Sequence, residues 1–242
     1  MDIPLHGVAP SFMPLLTASA AFVLGHFALS FGPVRERLVG LIGEQIFLIA
    51  YSLIAFATFA WMCLAYARAP FEDLWGDPFW ARWLAVAVMP FAAVFLVAGV
   101  STANPSAIGV SAQPNTARAP IGIQKVTRHP VLIAIALWAT LHLIANGDMA
   151  SLILFGALLI LTLGGILHIE ARRRATGGEA WTHFTAASSI MPFAAIAQGR
   201  ARVRFSEIGW NRITGGIVVY AILLFGHRIF IDAPLLPNLL GK

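Results

Sequence analysis

The sequence predicts an all-α polytopic membrane helix bundle of about six transmembrane helices, with both termini on the outer side. Three observations carry this. First, hydrophobic residues make up 59% of the 242 and charged residues 11%, at a mean hydropathy of +0.80. A soluble domain carries about 25% charged residues. Second, six apolar segments approach the roughly twenty residues a helix needs to cross a bilayer. Third, the basic residues gather on alternate connections between those segments. The net charge of +5 is therefore a topology signal and not a nucleic-acid footprint. The single cysteine, Cys63, excludes an internal disulfide and a cysteine-ligated metal.

The first twelve residues hold no lysine or arginine, so the first apolar run reads as a retained span and not as a cleaved signal peptide. It covers Ser11–Phe31 and closes at Gly32-Pro33. The second span is Gln45–Ala67 and the third Trp83–Thr102, with Pro90 as the expected kink. The fourth, Pro130–Ala145, is the shortest; the fifth is Ala150–Ile169 and the sixth Ile213–Ile231. Each must be helical, because lipid offers backbone groups no hydrogen-bond partner. Pro130 suits a first helical turn, and Asn146-Gly147-Asp148 is a tight turn that makes spans four and five an antiparallel pair. Trp75, Trp80 and Trp83 fit an interfacial aromatic belt.

Arg35, Arg37, Arg118, Lys125, Arg128, Arg172, Arg173, Arg174, Arg200, Arg202, Arg204 and Arg212 fall on loops one, three and five: twelve of the sixteen basic residues. The second loop holds Glu72, Asp73 and Asp77 against two arginines, and the fourth holds Asp148. The positive-inside rule then places the basic loops in the cytoplasm. The chain is expected to be one transmembrane domain over 1–242 with a polar cytoplasmic or interfacial segment at 176–210. Ser188–Ile196 within it is expected to lie along the membrane surface.

Four of the seven histidines fall in or at the edge of spans: His26, His142, His168 and His227. A histidine within a span faces the bundle interior with a partner or a function. A hydrogen bond between helices is one reading of each, and a metal or haem ligand is the other. With no cysteine ligands and no carboxylate cluster at mid-membrane, haem is easier to build than a bare metal site. At the cytoplasmic entry of span four, Arg128, His129 and the helix start form a corner that can grip a phosphate or carboxylate. Glu170, at the end of span five, can orient His129 or a cofactor, while Asn104-Pro105 reads as an ordinary turn.

Several stretches resemble the NnrU family. They are Gly25–Ser30, Leu38–Glu44 leading to Tyr51-Ser52-Leu53, Thr127–Pro130, Leu141–Asp148, Ile190–Ala195 with Gly199-Arg200, and Gly226-His227-Arg228. The plant and cyanobacterial 15-cis-ζ-carotene isomerases are similar to the same family. The resemblance implies a multi-pass protein of the bacterial inner membrane that binds haem b. Its iron ligands would be His26 and His142; apart from the resemblance, His227, Arg128, His129 and Glu170 are further candidate cofactor-binding positions. It implies either a part in nitrite and nitric oxide reduction or redox-gated cis–trans isomerisation of a polyene, a hydrophobic small molecule met within the lipid bilayer. Where the isomerases carry a further histidine after the second span, this chain reads Ala65-Tyr66-Ala67.

Arg128-His129-Pro130, Glu170 and Gly178–Phe184 also resemble, more distantly, the isoprenylcysteine carboxyl methyltransferase pattern, which implies S-adenosylmethionine at the cytoplasmic face. Trp181 and Phe184 replace that pattern's tyrosines. A non-catalytic membrane factor for denitrification enzymes is the third reading. Helix rise puts His26 about 9 Å to the cytoplasmic side of its helix centre and His142 roughly 6 Å to the outer side of its own. The two depths therefore differ by about 15 Å. Depth alone pairs His142 with His227 and His26 with His129 or His168.

Overall fold

The computed structural model describes residues 11–106 and 119–230. Both termini, Arg118 and the end of the sixth predicted span at Ile231 lie outside them. Among the described residues the chain is helical with no strand, and one isolated bridge joins Asp73 to Asp148. Five helices are long and apolar enough to cross a membrane: α1 (Met13–Ser30), α3 (Glu44–Ala67), α4 (Phe79–Val100), α7 (Met149–Thr176) and α11 (Trp210–Phe230). The chain is an all-α polytopic bundle.

The predicted fourth span is α6 (Pro130–Asn146), an apolar helix of 17 residues that falls short of spanning length. Pro130 and Gly147 bound it, and at 1.5 Å per residue it covers about 26 Å against a hydrocarbon core of about 30 Å. The predicted fifth span ends at Ile169, whereas α7 runs on through Arg172-Arg173-Arg174 to Thr176. The arginines mark a change of solvent and not a helix stop, which waits for Gly177-Gly178. The first loop is itself a helix, α2 (Gly32–Ile42), opened by Pro33 and ended where Gly43 takes φ +80°. The shorter helices are α5 (Ile123–Val126), α8 (Gly178–Ala186), α9 (Ala194–Ala197) and α10 (Phe205–Ile208).

Close packing divides the chain into two compact units. Unit 1 comprises Met1–Pro78 and His142–Leu161. Here α1 packs against α3, and the Phe22 and Phe59 rings meet at 5.6 Å. Arg35 of α2 pairs with Glu44 at 2.9 Å. The expected turn is present: Gly147 has φ +66°, and its carbonyl accepts from Leu74 N (2.8 Å) and Trp75 N (3.2 Å). A Cβ on Gly147 would lie 1.8 Å from the Gly76 oxygen, so only glycine fits. The Asp148 carboxylate then accepts from Ser151 N at 2.9 Å and starts α7.

Unit 2 comprises Phe79–Leu141 and Thr162–Lys242. α4 and α11 pack closely, and a Cβ on Gly216 would lie 2.6 Å from Val94 Cα. Pro90 sits inside α4 without breaking it. Having no N–H, it leaves the Val86 carbonyl four residues back without its helical donor. Tyr220 of α11 donates its hydroxyl to that oxygen at 2.9 Å, so the neighbouring helix repairs the gap. Phe95, Ala98, Ile123, Val126, Ala134 and Ile208 form a buried core between α4, α5, α6 and α10.

Candidate functional site

The polar residues singled out in the sequence fall into two sets, one in each unit. In unit 1, His26 is half-buried on α1, with its ring 4.4 Å from Phe22 and 5.5 Å from Tyr51. Its Nδ1 lies 2.7 Å from the Phe22 carbonyl oxygen. A carbonyl only accepts, so Nδ1 carries the hydrogen and Nε2 of the neutral ring keeps its lone pair. His142 is also half-buried, its ring 4.9 Å from that of Phe155.

His142 and Asn146 lie one turn apart on α6, as do Ser151 and Phe155 on α7, so each pair shares a helix face. Asn146 donates to Ser151 Oγ at 3.0 Å, and Tyr66 of α3 meets the same oxygen at 2.9 Å. Tyr66 also sets its ring 6.4 Å from Phe155. Ser151 is completely buried. The result is a short ladder of neutral polar and aromatic groups at this end of α6 and α7.

In unit 2 the predicted corner assembles in full. Arg128 donates from Nε (2.6 Å) to Glu170 Oε1 and from Nη2 (2.8 Å) to Glu170 Oε2, a two-pronged pair. His129 Nε2 donates to Glu170 Oε1 at 2.7 Å. These side chains are 11%, 6% and 0% exposed for Arg128, Glu170 and His129. The third arginine nitrogen, Nη1, reaches the Ser188 carbonyl at 3.3 Å. Every nitrogen of Arg128 and the Nε2 of His129 therefore already bonds inside the protein.

The helix start offers no anion seat either. A Cβ on Gly99 would lie 3.0 Å from Val131 N, so α4 already covers that end of α6.

The segment around the corner is pinned on several sides. Arg128 N donates to Ser189 O at 2.9 Å, Phe193 N to Val126 O at 2.9 Å, and Thr127 Oγ1 to Ile190 O at 2.7 Å. The predicted surface-lying stretch 188–196 is thus a turn bonded to residues 126–128, followed by α9. Arg200 Nη1 reaches the carbonyls of Thr185, Ala186 and Ser188 at 3.3, 2.7 and 3.0 Å, closing the end of α8.

Asn104, read from the sequence as part of an ordinary turn, is buried. It donates from Nδ2 to the Arg128 carbonyl at 2.9 Å and accepts from Ser106 N at 3.0 Å. Ser106 donates to the same Arg128 carbonyl. The Asn-Pro-Ser string, which favours a side-chain-to-backbone turn, was the available signal.

Two more span histidines lie in unit 2. His227 donates from Nδ1 to the Leu223 carbonyl at 2.5 Å. His168 has its Nε2 buried without a hydrogen-bond partner. Among the described residues no three His, Cys, Asp or Glu gather in a metal-binding group.

Comparison with known proteins follows the same lines. The family model described as NnrU protein matches residues 14–235. Over 82 residues the chain is 30% identical to the chloroplastic 15-cis-zeta-carotene isomerase of Zea mays, covering 34% of this chain and 22% of that protein's length. No solved structure matches. A family match over nearly the whole chain, on an all-α bundle with five spanning-length helices, shows that this protein belongs to the NnrU family.

Proposed function

We propose that this NnrU-family protein binds haem b through His26 and His142 and acts on an apolar, polyene-type small molecule. We place it in the bacterial inner membrane with its basic loops in the cytoplasm and its termini outside.

The observation that carries the reading is the state of His26. Its Nδ1–H bond to the Phe22 carbonyl fixes the ring and leaves the Nε2 lone pair as a ligand atom. His142 belongs to the same compact unit. Its ring sits by Phe155 at the Tyr66 end of α3, while His26 sits by Tyr51, about 22 Å of helix away, so each would hold iron at its own end. A group that brings its own nitrogen ligands needs only such imidazoles from the protein.

When bound, haem would supply reversible one-electron chemistry, and His26 and His142 are the residues that would hold its iron. The chain's own part is positional. Phe22 and Tyr51 flank the His26 ring and Phe155 flanks that of His142, which keeps both in apolar surroundings. The name of the maize relative, a carotene isomerase, supports an extended apolar substrate. A role in nitrite or nitric oxide reduction is the second use of such a centre.

The test is an absorption spectrum of protein purified after expression with adequate haem. A Soret band is expected; His142→Ala should bleach it and His26→Ala should change the ligation state. Protein that folds, is supplied with haem and shows no Soret band ends the proposal.

A further inference from the structure

The corner in unit 2 holds an atom that its own network does not use. His129 is 0% exposed at its side chain, its Nε2–H is committed to Glu170, and its Nδ1 is buried with no hydrogen-bond partner. Buried polar atoms are paired in the great majority of cases, so an orphan calls for a cause. With the hydrogen on Nε2, Nδ1 is an acceptor. Adding a hydrogen there would leave an N–H equally alone and bury an extra charge in a site where Arg128 and Glu170 already cancel.

We propose that His129 Nδ1 is the acceptor of a buried site in unit 2 that takes a small neutral O–H or N–H donor, and not an anion. The chemistry is the reverse of what the sequence suggests for this corner. Each nitrogen of Arg128 and the Nε2 of His129 already bonds to Glu170 or Ser188, and Gly99 covers the start of α6. At Nδ1 an anion would meet a lone pair, whereas a neutral donor would pair with it.

The charged groups bearing on the ring are Arg128 beside it and Glu170 from α7. Arg200 shares the Ser188 carbonyl with Arg128, at 3.0 and 3.3 Å, and Lys125 is paired with Glu207 at 2.5 Å. The site is independent of the haem reading.

The experiment uses the full chain in nanodiscs with nitrogen-15-labelled histidine, followed by NMR. The His129 signals are assigned by their loss in His129→Gln, or in His129→Asn if the first variant does not fold. Wild-type protein should show a protonated Nε2 and an unprotonated Nδ1. Methanol, as the neutral donor probe, should shift Nδ1 saturably, while sodium formate should leave it unchanged. A proton on Nδ1 overturns the proposal, as does a response to formate without methanol, which would restore an anion site. No response to either probe overturns it too.

Discussion

The two units bury polar side chains among apolar helices by different means. In unit 1 the side chains joined in short chains are neutral, with Asn146 and Tyr66 at Ser151 Oγ and His26 on the Phe22 carbonyl, while the buried Asp148 carboxylate caps the start of α7. In unit 2 formal charges are buried, and they are matched bond for bond in Arg128, Glu170 and His129. A neutral hydroxyl or imidazole loses little when one bond is missing, whereas an unmatched buried charge costs several kcal/mol. The charged cluster must therefore close on itself and works as scaffold, while the neutral set can keep a ligand atom available. On His129 the cluster leaves one lone pair unused.

If that contrast is right, the largest effect belongs to Glu170. Glu170→Ala strands Arg128 and His129, and we expect a loss on the order of 3–5 kcal/mol in unfolding experiments in nanodiscs. A loss no larger than that of Ser151→Ala would erase the distinction between the units.

Next comes Gly147→Ala in the unit 1 turn. A left-handed residue and a Cβ 1.8 Å from the Gly76 oxygen force the loop apart. The expected cost is about 3 kcal/mol, and a neutral result would mean the turn rearranges freely.

Ser151→Ala removes a buried hydroxyl from between two neutral partners. It should cost about 1 kcal/mol, the scale of interhelical hydrogen bonds in membranes. Thermal unfolding beside Glu170→Ala would measure the ratio directly.

The smallest effect lies at the surface. The hydrogen bond from Lys125, aided by its charge, holds the Glu207 carboxyl below its ordinary 4.5. A lowered value in the folded state means the pair stabilises above pH 4.5 and loses its contribution as pH falls through the folded value. Unfolding midpoints measured across acid pH should fall slightly more in wild type than in Lys125→Gln, and added salt should shrink the gap.

Much of this was legible in the order of residues. Long apolar runs can only be helices in lipid, so all six helices followed from composition, although α6 was expected to span and falls short. Gly147 and Pro130 marked ends because their backbone preferences are local. The meeting of Arg128, His129 and Glu170 was anticipated as a corner, since all three were placed on one face of the membrane.

What the chain order hid were partnerships between residues far apart. Tyr220 lies 134 positions from the Val86 carbonyl it caps, and Asn104 lies 24 from the Arg128 carbonyl. Neither distance leaves a periodic trace. The helical state of α2 was also missed, because a run with arginines and glycines reads as loop until its Pro33 and Gly43 ends are weighed.

By itself, then, the sequence determined the solvent: which segments sit in lipid, that they are helical, and which residues are too polar to be there by chance. Hydropathy and helix ends are local properties, and they need no knowledge of the fold. Only the tertiary structure decided how those polar residues are satisfied. A hydrogen bond is made or missed within a few tenths of an ångström, and that precision exists only once the helices are packed. It turned the Arg128–His129 corner from a grip for anions into a closed cluster with one acceptor to spare.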